Sequence, residues 1–144
     1  MPLNGRSATP VAACHSFVWK PEVCHGRDVC LRGSEPGAEV VDEMLADARM
    51  TSVNWAEVVQ KSLSAGVDVE GMQEDLQALG MRVEPFLPVD GERAGRLWPL
   101  TRQQGVSLGG RACLSLGLRL GLTVVTCDRA WAQLPLDLEV QLLR

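Results

Sequence analysis

Two carboxylates of this 144-residue chain stand where a folded domain could use them. Glu57 lies one turn into a helical stretch that follows a short strand-like run, and Asp128 comes just after the apolar run Leu122 to Val125, LTVV. Acids gathered at one edge of a sheet repel each other, an arrangement tolerated mostly where a cation is held. Hard oxygen ligands suit Mg2+ or Mn2+, and two carboxylates completed by waters are a common Mg2+ set. An ion held this way activates water and neutralises charge in phosphoryl transfer. From spacing alone, a solvated helix acid and a turn acid is the simpler reading, and the residues by themselves leave both readings open.

The elements that must position these acids are most legible between Val106 and Trp131, VSLGGRACLSLGLRLGLTVVTCDRAW. Ser107 is a good N-cap, because its hydroxyl can accept an amide of the first helical turn. Leu108, Ala112 and Leu116 recur every four residues, with Leu114 and Leu118 widening the apolar face, and Gly121 ends the helix. LTVV then reads as a parallel strand covered on both faces. In open parallel sheets the working groups lie just beyond the carboxyl ends of the strands, where Asp128 falls.

Upstream, AEVVDEMLADA (Ala38 to Ala48) has an apolar face and reads as a helix, followed by a short strand at Met50 to Val53. Asn54 is placed to cap the next helix, closed by Gly66. Asp68 opens another, with Val69, Met72, Leu76 and Leu79 on one face and Gly80 as its stop. Met81 to Phe86 alternates as a strand does. Asp90 to Trp98 is helical, Pro99 breaks it, and a second piece ends at Gly105. Leu138 to Leu143 makes a last, edge strand. Strands alternating with helices predict a three-layer α/β/α fold around a mostly parallel sheet.

Residues 1–34 carry no sustained period, and only Val11 to Trp19 is apolar there, enough for a short strand or a surface patch. The reading therefore divides the chain into an atypical, unpatterned segment, 1–34, and a domain, 35–144. Cys14-His15, Cys24-His25 and Cys30 supply enough zinc ligands, but their spacing fits no standard finger.

Hydrophobic residues make up 46% and charged residues 22%, ordinary for a globular domain. The net charge of −4 gives no overall basic field for nucleic acid, so any RNA contact must be local. No apolar run nears the ~20 residues of a membrane span, and no signal-peptide core opens the chain. Five cysteines, an odd number, favour reduced thiols in a cytoplasm over a disulfide framework.

In order, length and spacing, the segments TSVNWAEVVQKSL, RVEPF, LTRQQGVSLGGRACLSLGLRLG and LTVVTCDRAWAQL resemble the PIN-domain ribonucleases, the VapC-type toxin half of bacterial toxin–antitoxin pairs. The resemblance covers about residues 35–144. It implies a compact α/β/α domain that cleaves RNA in the cytoplasm with Mg2+ or Mn2+, pairs with a cognate antitoxin and often forms a homodimer. Glu57 matches the acid of the family's N-x-x-E helix and Asp128 the acid after its last central strand. Asn54 and Thr126 match the polar residues flanking them. With the resemblance added, Glu57 and Asp128 become the expected catalytic metal ligands.

Two departures accompany it. Where the family reads S-L-x-D-R-A, this chain reads Ser107-Leu108-Gly109-Gly110-Arg111-Ala112, so Gly110 stands at an expected metal-binding aspartate. The family also opens with a strand ending in aspartate, and Glu22 and Asp28 both fall at the wrong distance to match it, so the resemblance implies an opening strand that is missing or replaced. The alternative function is therefore a PIN-fold binding module that captures an antitoxin or dimerises without cleaving. Arg111 and Arg129 are candidate phosphate contacts, while Trp55 and Trp131 are better read as core residues than as base-stacking platforms.

Overall fold

Three small apolar residues from the unpatterned N-terminal segment form the centre of the sheet. Strand β1 (Val11–Ala13) pairs in parallel with β2 (Ala48–Thr51) on one side and β4 (Thr123–Thr126) on the other. β3 (Arg82–Glu84) continues beyond β2, and β5 (Val140–Leu142) closes the far edge beside β4. The order β3-β2-β1-β4-β5 is all parallel. The computed structural model describes residues 11–13 and 46–142. The opening strand is thus supplied from within 1–34, and the division of the chain at residue 35 does not hold for Val11–Ala13. The Cys-His pairs lie outside the described residues.

Alternation along these short strands builds two cores. Val11, Ala13, Met50 and Val125 pack with Val58, Met72, Leu76 and Met81, while Ala12 and Val124 join Leu97, Val106, Cys113, Leu114, Leu116 and Trp131. The first core is covered by α1 (Ser52–Ser64) and α2 (Met72–Ala78), the second by α5 (Leu108–Leu120), giving the three-layer α/β/α arrangement. A sheet buried on both faces needs apolar residues at both odd and even positions, which VAA and TVVT supply.

Helix α3 (Pro88–Arg96), followed by the single turn α4 (Trp98–Thr101), packs outside α5, which is therefore buried on most sides. This accounts for its small residues: Gly109, Gly110, Ala112, Cys113, Ser115 and Gly117 are all buried, whereas Leu108, expected on the apolar face, is 58% exposed. Polar clamps hold α3 to α5. Buried Asp90 accepts from the Leu87 amide at 2.9 Å and from Arg119 Nε at 2.8 Å, and the Ser115 hydroxyl donates to the Asp90 carbonyl at 3.1 Å.

Several boundaries differ from the sequence reading for local reasons. The helix expected over Ala38 to Ala48 lies largely outside the described residues, but Ala48 itself is fully buried and pairs with Val11 as a strand residue. α2 begins at Met72 rather than Asp68, because the Asp68 carboxylate turns back to accept the Glu70 amide at 3.0 Å. The break before Pro99 falls at Leu97, and Pro99 sits in the first turn of α4, where a missing N–H costs little. Ser107 caps α5 and Gly121, at φ 64°, ends it as expected.

Candidate functional site

In a doubly wound sheet of this order the strand order reverses between β1 and β4, and folds of this kind place their working groups beyond the carboxyl ends of those strands. α1 starts at this edge, since it follows β2. α5 also starts here, since it runs back before β4. Two helix N-termini therefore meet at one edge, and helix N-termini favour negative charge.

The turn from β2 into α1 is set by Thr51, not Asn54. Thr51 is the N-cap, its hydroxyl accepting the Asn54 amide at 3.1 Å and donating to Asn54 Oδ1 at 2.7 Å. Asn54 sits inside the first turn, fully buried, and its side-chain nitrogen has two acceptors: the Gly109 carbonyl at 2.8 Å and Glu57 Oε2 at 3.2 Å. An amide with oxygen and nitrogen both engaged holds one orientation, because the flipped form would turn its oxygen toward a carbonyl and a carboxylate.

The glycine pair of α5 separates into two roles. A Cβ on Gly109 would point into the Glu57 carboxyl group, whereas a Cβ on Gly110 would stand 2.8 Å from both Trp131 Cζ2 and Val106 Cγ1. The position facing Glu57 is thus Gly109, and Gly110, where the resemblance places an aspartate, faces an apolar wall.

Asp128 stands at the same edge in a turn of its own. Arg49 and Val124 both pair with Ala12, so Thr51 and Thr126, two residues further on, are level on either side of β1, about 10 Å apart across two strand spacings. Buried Thr126 accepts the Asp128 amide at 3.1 Å, and Asp128, exposed, accepts the Ala130 amide at 2.9 Å, capping the 3-10 turn Arg129–Gln133.

Arg111, expected beside the site, is turned elsewhere. It lies about 200° around α5 from Gly109, and its Nη1 donates to the Ala94 carbonyl of α3 at 2.9 Å, with Nε buried and, among the described residues, without a hydrogen-bond partner. Arg129 is exposed next to Asp128. Trp131 is a core residue, 6% exposed, and Trp55 packs partly buried against the other core. Sequence reasoning missed Thr51, whose signal was a threonine three residues before the helical asparagine. It also missed Gly109, whose role no local pattern announces.

The oxygen donors of Glu57 and Asp128 fit Mg2+ or Mn2+ in kind, and the hydrogen bond from Asn54 is the sort of outer contact that orients a ligating carboxylate. Among the described residues, no three His, Cys, Asp or Glu side chains gather closely enough to hold an ion. Nor, among the described residues, is any helix long and apolar enough to cross a membrane. No protein-family model matches the chain, and no curated protein matches it.

Proposed function

We propose that this chain is a PIN-domain protein of the VapC toxin type, a cytoplasmic endoribonuclease that cleaves RNA phosphodiesters with Mg2+ or Mn2+. The observation that carries this reading is the Glu57 carboxylate, oriented by a fully buried asparagine at the sheet edge where two helices begin. Glu57 and Asp128 would hold the ion, which when bound supplies an activated water and neutralises phosphate charge. Asn54 fixes the Glu57 oxygen by hydrogen bonding, and Thr126 fixes the turn that presents Asp128. Arg129 is exposed where an RNA phosphate could meet it. A cognate antitoxin and a second copy of the chain are the partners this reading implies.

The test is cleavage of a mixed RNA substrate in Mn2+ by the chain, Glu57→Gln and Asp128→Asn. Cleavage by the chain, reduced at least 100-fold in both variants, is the expected result. A specific observation favours a second reading, a binding module of the same fold that does not cut: the first turn of α5 carries Gly109 and Gly110 and no carboxylate. Absence of cleavage with retained binding of a small antitoxin protein would select it.

A further inference from the structure

We propose that Gly109 is a positioning residue for Glu57. The space left by its missing side chain is the seat of the Glu57 carboxylate, and Asn54, held by Thr51, fixes the carboxylate there. The three atoms nearest to a Cβ at Gly109 all belong to the Glu57 carboxyl group, with Cδ and Oε2 each at 2.6 Å. Glycine is a poor helix former, and Ser107 already caps this turn, so the helix itself gains nothing from glycine at this position. What glycine admits is a carboxylate against the first turn of α5, where the backbone dipoles favour a negative charge. The Gly109 carbonyl takes one bond from Asn54 and Glu57 takes the other, so the same amide fixes both sides of the seat.

The consequence for metal binding rests on the reading given under Proposed function: a carboxylate seated before the ion arrives loses less freedom on binding it. The seat itself can be tested without metal. Gly109→Ala introduces a Cβ whose nearest neighbours are the far end of a flexible side chain, so the protein folds while the carboxylate is displaced.

The experiment compares the chain, Gly109→Ala, Glu57→Ala and Thr51→Ser. It reads the side-chain amide protons of Asn54 by NMR in metal-free buffer, then Mn2+ affinity by titration. In Gly109→Ala the Asn54 proton facing Glu57 should move to its position in Glu57→Ala and exchange at least threefold faster, while the proton bonded to the Gly109 carbonyl and the unfolding temperature hold. Thr51→Ser should leave both protons in place. Mn2+ affinity should fall at least tenfold in Gly109→Ala. An Asn54 amide in Gly109→Ala that matches the parent chain overturns the proposal. So does a Gly109→Ala chain that fails to fold and is not rescued by adding Glu57→Ala, whereas rescue locates the clash at the carboxylate. Should the parent chain bind no Mn2+, or bind it equally in Glu57→Ala, the metal reading fails and the amide protons still decide the seat.

Discussion

The Asn54 carboxamide donates to the carbonyl of Gly109 over 2.8 Å, joining two helices across 55 positions of sequence. Both elements begin at the carboxyl edge of the sheet, and this bond ties the first turn of one to the first turn of the other. Because Asn54 is also bonded to Thr51 and Glu57, a change at any of the four residues acts on the others.

Thr51→Val removes the α1 cap and leaves the buried Asn54 oxygen without its donor. A loss of about 1–3 kcal/mol is expected, with Thr51→Ser within about 0.5 kcal/mol of the parent. Urea unfolding followed by circular dichroism measures both, and equal stability of Thr51→Val would exclude the capping role.

Gly110→Asp, which introduces the residue that the resemblance places at this position, should destabilise. Its Cβ stands 2.8 Å from the Trp131 ring and from Val106, both buried. Overpacking of this kind costs about 1–3 kcal/mol. Thermal unfolding of Gly110→Asp beside Gly110→Ala separates the steric cost, common to both, from the cost of a charge against an apolar wall.

Asp90→Ala should be among the most damaging changes outside the edge. Asp90 is 2% exposed and joins Arg119 to the first turn of α3. Leaving a partly buried arginine without its carboxylate costs about 3 kcal/mol. Equilibrium unfolding of Asp90→Ala, Arg119→Ala and the double variant gives the coupling, which should be clearly non-additive.

Gly117→Ala tests the contact of α5 with the sheet. A Cβ there would lie 2.6 Å from Val124 Cγ2 and 3.3 Å from the Leu122 carbonyl. The gain of about 1 kcal/mol in helix propensity should be outweighed by the clash, giving a lower unfolding temperature. A rise would mean that the helix can move off the strand freely.

Local signals were sufficient wherever the physics is local. The Ser107 cap, the Gly121 stop and the apolar run of β4 fixed the α5–β4 unit, and with it the turn carrying Asp128, because hydrogen-bonded caps and left-handed glycines act within one turn of chain. The α/β alternation and the edge position of β5 were legible for the same reason. Leu108 misled: its spacing fits the apolar face, but α5 is enclosed by the sheet and α3, and Leu108 lies just beyond that enclosure.

By itself, the sequence determined the capped helix and following strand of the α5–β4 unit, the alternation of strands with helices, and that Glu57 and Asp128 follow strand ends. Tertiary structure alone decided three things. Val11–Ala13 becomes the central strand because β2 and β4 flank it and both layers cover it, not because three residues carry a period. Asn54 gives up the cap to Thr51 because its buried amide is needed to bond Gly109 and Glu57. Gly109, rather than Gly110, faces Glu57 because one helical residue is a rotation of about 100°, and only the packing of α5 against α1 sets which of two adjacent glycines that rotation points at the acid.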